Sequence, residues 1–251
     1  MNAEKYYMYL LCGEDIPFEN VKIHQPTLRE IMKVMTIQTY DALIQPFMLT
    51  VEYFHGKASD KLFSKYLLCD KHLLTCMITA IQMMIPYKEV KALFHRLAFT
   101  LNDANENEVC FVLDDDNFDE FCDIVLLVNA KKRVVVEKVP DKILQIKDPE
   151  KRRYWLETWT TTQRGRQKFN KENSLHLWDA LNVCQFCGEY IPIDEMMDWT
   201  LWRVMNCYNA KLGLKSYDDN LSMALVSGDT ERINGDYHWY KQLTLKDSGV
   251  N

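Results

Sequence analysis

The chain has 251 residues, 47% apolar, 26% charged and 12% aromatic, with a formal charge of −6. That balance supplies a core without metal or disulfide staples and excludes a whole-surface nucleic-acid binder, which needs a basic exterior. Only 8 Gly and 7 Pro are present, a scarcity that favours helices over a turn-rich sandwich or barrel.

The opening segment KYYMYLLCGEDIPFENVKIHQ has two apolar runs around a polar stretch, which predicts a β-ribbon with strands near 5–12 and 20–24. Its apolar run breaks at Glu14 and Asp15, too early for a signal peptide or a membrane span, so the expected location is the cytosol. Next, Thr27 followed by Glu30 forms a capping box, and apolar residues at 28, 31, 32, 35 and 43 follow a helical period. Residues 47–54 suit a helix or a strand equally. From Ser59, a long apolar helix is predicted up to Pro86, and YKEVKALFHRLAF reads as a further amphipathic helix with apolar residues at 90, 93, 94, 97 and 98.

The chain then changes character. VCFVL has strand composition, NFDEFCDIVLLVN is helical, and RVVVEKV returns to β-branched residues, which together predict a strand–helix–strand unit. The stretch from Pro140 to Asn173 is highly charged with little apolar periodicity and reads as a connector. Beyond it, one short helix should stop at Gly188 and another, capped by Asp194, at Gly213; a last helix and an aromatic turn docking Trp239 and Tyr240 close the pattern. The expected class is α+β and mainly α-helical, with an N-terminal β-ribbon, a strand–helix–strand unit and a C-terminal helical part. The expected division is an α+β body over 1–139, a connector over 140–173 and a helical part over 174–251.

Three constellations bear on chemistry. DDDNFDEF places five carboxylates within residues 114–121. Asn117 as N-cap with Glu120 three residues later, and acids favoured by the helix dipole, account for the second half of it. Asp114, Asp115 and Asp116 then form a solvated loop. Without a glycine at the sixth place this is no calcium loop. In CQFCG, Cys184 and Cys187 lack a second ligand pair, although His176 and Cys207 would complete a zinc tetrahedron if the C-terminal helices met. Six of the eight cysteines sit in apolar runs, which predicts reduced, buried thiols acting as small hydrophobes. The six histidines are scattered singly, and neither a nucleophile elbow nor a glycine-rich phosphate loop is present.

The third constellation interleaves basic and aromatic residues in EKRRYWLETWTTTQRGRQKF. Arg152, Arg153, Tyr154, Trp155 and Trp159 are the candidate partner-binding residues, because Trp, Tyr and Arg dominate interface hot spots. Stacking on single-stranded nucleic acid and tryptophans packed back on the protein are the alternatives.

The order of these motifs resembles proteins encoded among the tail genes of phages that infect Gram-positive bacteria. The first is a ribbon followed by Pro-Thr-Leu-x-Glu-Ile, here Pro26, Thr27, Leu28, Glu30 and Ile31. The middle one is Asn-Phe-Asp-Glu opening a helix, here Asn117, Phe118, Asp119 and Glu120. A late helical motif is met loosely at Trp199, Thr200, Leu201 and Trp202. The resemblance implies a tail assembly factor of the chaperone kind. Such a factor is non-enzymatic, uses no cofactor or metal, and contacts other phage tail proteins and, where it forms homo-oligomers, a second copy of itself. It would act in the bacterial host cytoplasm, with no membrane and no nucleic-acid partner. A structural component of the tail or neck, retained in the virion, is one alternative; a small zinc- or nucleic-acid-binding protein is another. Twelve methionines suit a surface that adapts to a partner.

Overall fold

The computed structural model describes residues 3–102, 107–172 and 176–228. The chain is α+β and mainly helical, with two small antiparallel sheets among the described residues. Packing divides it into two compact units: residues up to Val134 together with those from Ala180 onward, and an inserted unit from Val135 to Asp179. The expected N-terminal body and C-terminal helical part thus belong to one unit.

The first unit opens with a helical turn over Ala3–Tyr6 running into α1 (Tyr7–Cys12), not with the predicted strand. Four-residue spacing decides this: Tyr6 and Leu10 are both fully buried, and Gly13 ends the helix at φ 68°, a left-handed conformation that glycine adopts without strain. The ribbon pairs β1 (Ile16–Phe18), later than the predicted first strand, with β2 (Val21–Ile23), which falls within the predicted second. Asn20 in its turn donates to the Cys110 carbonyl at 3.0 Å.

Thr27 caps α2 (Leu28–Val34) as predicted, with the reciprocal Glu30 bond to the Thr27 backbone at 2.8 Å. One helix was expected here, but the backbone extends at Met35, and Thr36 caps a second, α3 (Ile37–Met48). Residues 51–54 form a single tight helical turn. The long helix expected from Ser59 begins only at Asp70, whose carboxylate accepts from His72 N and Leu73 N, and runs as α4 (Lys71–Met84).

The segment predicted as an amphipathic helix is a hairpin instead, β3 (Glu89–Leu93) with β4 (Arg96–Asn102), to which β5 (Glu108–Asp114) adds antiparallel. Its turn carries His95 at φ 69°, with Phe94 exposed. On β4 and β5, Leu97, Phe99, Leu101, Phe111 and Leu113 are buried in strict alternation, the mark of a one-sided sheet.

Against that face lies α5 (Phe118–Val128), apolar on nearly every side. Its Phe121 meets Phe18 (5.6 Å between ring centroids), Phe47 (6.1 Å) and Phe111 (6.1 Å), while Phe118 stacks on Phe63 at 4.5 Å. This aromatic cluster is the centre of the core. The predicted second strand of the strand–helix–strand unit does not form: residues 131–140 are irregular, and β5 runs antiparallel to its neighbour, so there is no parallel crossover.

The remainder of this unit comprises α8 (Leu177–Phe186) from Ala180 onward, α9 (Ile193–Met196) and α10 (Leu201–Ser227). Near the predicted stop, Gly188 has φ 85°. By contrast Gly213 is buried inside α10, which absorbs both later predicted helices, and Thr200 rather than Asp194 caps it. Trp239 and Tyr240 lie outside the described residues. Thr27 and Thr200 pair in an antiparallel bridge, so α2 and α10 start side by side. Arg29 reinforces the junction, gripping both carboxylate oxygens of Asp198 at 2.5 and 3.3 Å.

At the start of α2, His24 lies between two carboxylates, Nδ1 at 2.9 Å from Asp15 and Nε2 at 3.2 Å from Glu30. Burial alone would lower the histidine pKa, but the hydrogen bonds to Asp15 and Glu30 outweigh it and raise it. A folded pKa above the unfolded value, about 6.5, gives a stabilisation that is complete below that pH and lost as pH rises through the raised value. Because the site is partly solvated, the expected loss of melting temperature between about pH 6 and 8 is about 1–2 °C. His24→Gln should flatten that slope in parallel thermal melts, and an unchanged slope would remove His24 as its source.

The inserted unit holds α6 (Asp141–Leu144) and α7 (Pro149–Glu172). What composition suggested as a connector is thus largely a 24-residue helix. Asp148 accepts from Glu150 N (3.0 Å) and Lys151 N (3.3 Å), Pro149 is favourable in the first turn, and Arg153 pairs with Glu157 one turn on. No helix among the described residues is long and apolar enough to cross a membrane.

Candidate partner-binding groove

Helix α7 places Trp155 and Trp159 one turn apart on the same face. Together with Thr158, Thr162, Pro140 and Ile143 they line an open groove of about 490 Å³ between α7 and the segment before it. At one end Glu137 accepts from Gln163 and pairs with Arg166 at 3.5 Å, so this part of the rim is already satisfied. The walls between are apolar, and 49% of Trp155 is exposed. Tyr154 is also exposed and meets the Trp155 ring edge-on at 5.6 Å. Of the five residues singled out in the sequence, the structure therefore brings Trp155 and Trp159 into the groove and sets Tyr154 beside it. Arg152 and Arg153 are exposed but do not line it, and Arg153 is engaged by Glu157.

The acidic run has a different role from the one predicted. Asn117 precedes α5 but makes no capping bond to it. Instead its amide ties the start of α5 to β5 and to the ribbon turn: Oδ1 accepts from Asp114 N (3.0 Å), and Nδ2 donates to Glu19 (2.9 Å) and to the Val112 carbonyl (2.8 Å). Glu120 accepts from Tyr6 at 3.3 Å rather than closing a capping box. Nor is the aspartate loop merely solvated, since Asp115 accepts from Ser64 N at 3.1 Å.

Arg133, which the sequence reading passed over, contacts Asp119 at 3.3 Å and Asp123 at 3.2 Å. Beside them a cavity of about 340 Å³ is lined by Asp60, Asp115, Asp119, Phe63, Phe118 and Arg133. Lys65 holds the Asp60 carboxyl well below the ordinary carboxylate range, aided by Tyr66 and the Lys57 amide. These carboxylates thus already have partners within the protein.

The CQFCG thiols separate. Cys184 is buried with its thiol 3.5 Å from the Val204 carbonyl of α10, Cys187 is half-buried, and Cys207 lies about one turn beyond Val204; of the cysteines expected to be buried in apolar runs, Cys12, Cys69 and Cys110 are instead exposed. Among the described residues, no three His, Cys, Asp or Glu side chains gather in a way that could hold a metal ion, so the tetrahedron of Cys184, Cys187, Cys207 and His176 is not assembled. The Cys184–Cys207 pair was missed as a pair. Its available signal was Arg203, Cys207 and Lys211 at four-residue steps on one helix. No protein-family model matches the chain, and no curated protein or solved structure is similar to it.

Proposed function

We propose that this chain is a non-enzymatic protein-binding factor whose inserted unit captures a partner in the Trp155–Trp159 groove. The observation that carries this reading is the pair of tryptophans one turn apart, lining an open apolar trough with Trp155 half-exposed. Large aromatics left partly in water beside such a trough are what a partner's apolar side chain fills, and water exclusion there gives most of the binding energy. The resemblance to phage tail-gene proteins names the setting: assembly of a tail, chaperone-like, in the host cytoplasm, with another tail protein as the partner.

Titration of the purified chain against the individually purified proteins of the tail-gene cluster tests this. One of them should bind, and Trp155→Ala with Trp159→Ala should weaken that binding at least about tenfold, or about 1.4 kcal/mol, with the helical circular dichroism retained. Unchanged affinity in the double variant would sink the groove as the contact. Absence of any binding partner in the cluster would sink the assembly role.

A further inference from the structure

We propose that Cys207 and Cys184 are a peroxide-reactive thiol pair, in which Cys207 is oxidised first and Cys184 closes the disulfide. This chemistry lies in the first unit and is independent of the tryptophan groove.

Placement supports it. On α10, Arg203 precedes Cys207 by one turn and Lys211 follows by one turn, so two cations flank the sulfur along one stripe of the helix. The buried Cys184 thiol on α8 donates to the Val204 carbonyl at 3.5 Å and the Cys184 carbonyl accepts from Lys211, so Cys184 faces the stretch of α10 that carries Cys207 between those two residues. The Lys211 ammonium is pinned, donating to the carbonyls of Cys184 and of Glu189, the latter at 3.1 Å. Its charge therefore stays beside the two sulfurs.

The electrostatic consequence separates the two thiols. The neighbouring Cys184 thiol and the Lys211 and Arg203 cations hold the Cys207 thiol below its ordinary value, against the effect of burial. The neighbouring Cys207 sulfur and burial push Cys184 up, and its proton is directed at the Val204 carbonyl. Cys122 provides the contrast: it is fully buried in α5, and burial pushes its thiol up despite Arg133 nearby. Cys207, half-buried and with its thiol lowered, is thus the member of the pair open to a small oxidant.

The chemistry balances with one hydrogen peroxide. The Cys207 thiolate attacks an oxygen, an S–O bond forms, the O–O bond breaks, and hydroxide leaves, giving a sulfenic acid. Cys184 then attacks the Cys207 sulfur as its proton is lost; the S–S bond forms, the S–O bond breaks, and the departing oxygen leaves as water. The pair loses two electrons and peroxide becomes two waters. The disulfide would link α8 to α10 across the α9 segment.

Peroxide treatment of the reduced full chain near neutral pH, followed by alkylation and peptide mass mapping, tests the proposal. The expected product is a Cys184–Cys207 disulfide, reversed by dithiothreitol and formed equally in Cys187→Ser. Cys184→Ser should instead accumulate a dimedone-reactive sulfenic acid at Cys207, and Cys207→Ser should form neither species. The Cys207 reaction should be at least about tenfold faster than that of the half-buried Cys76. Should a cysteine variant fail to fold, Lys211→Gln retains both thiols and should slow the reaction several-fold. A Cys184–Cys187 product, a Cys207 rate equal to that of Cys76, or an unaltered rate in folded Lys211→Gln would overturn it.

Discussion

Phe121→Ala should lower the melting temperature by roughly 10 °C, corresponding to about 3–5 kcal/mol of stability. Its ring is fully buried and meets three others: Phe18 of the ribbon, Phe47 of α3 and Phe111 of the sheet. Because those partners come from separate elements, they cannot close together over the lost volume without moving the ribbon, the helix and the sheet at once. The cavity contribution is therefore largely retained. Urea unfolding beside the control Phe94→Ala measures it; Phe94 is 88% exposed at the hairpin turn and should change stability by no more than about 0.5 kcal/mol. A loss below about 1 kcal/mol at Phe121 would mean that the cluster is not the centre of the core.

The second large effect is expected at Asn117. Asn117→Ala should cost about 1–2 kcal/mol, and Asn117→Asp more, about 2–3 kcal/mol. Aspartate retains the acceptor for Asp114 N but loses both donors, leaves the Val112 carbonyl unmatched, and sets a negative charge against Glu19 beside three other aspartates. A residue that served only to begin a helix would behave in the opposite way. Asp is as good an N-cap as Asn, and its charge suits the helix dipole. Equilibrium unfolding of the two variants near neutral pH separates the roles, and equal stability of Asn117→Asp and wild type would restore simple capping.

The sequence was most legible where one local mechanism acts alone. Thr27 and Glu30 announced α2, NFDEFCDIVLLVN announced the helix α5, and CFVL announced β5. Errors arose where local preference yielded to packing. Residues 5–12 have strand-forming side chains, yet burying Tyr6 and Leu10 four apart requires a helix. The stretch 88–99 has helical spacing, but its turn lacks the usual Asn or Gly, and His95 takes the left-handed conformation in their place. In α7, β-branched threonines and high charge hid a helix that its N-terminal cap and i,i+4 pairs help to sustain. Composition alone marked Trp155 and Trp159; their shared groove depends on α7 being helical. Cys184 and Cys207 were legible together only as part of a conditional zinc set, because their approach depends on α8 and α10 packing against each other.

The bridge between Thr27 and Thr200, with Arg29 clasping Asp198, has a consequence for biosynthesis. Residues some 170 apart cannot meet until the later one has left the ribosome, so the α2 end of the body stays open while the whole inserted unit is translated. Closing so long a loop is slow, because its entropy is lost before any long-range contact compensates. During that interval the apolar surface around Leu28 and Ile31, fully buried in the finished protein, is exposed to other nascent chains. The inserted unit, made of nearby residues, is free to fold first.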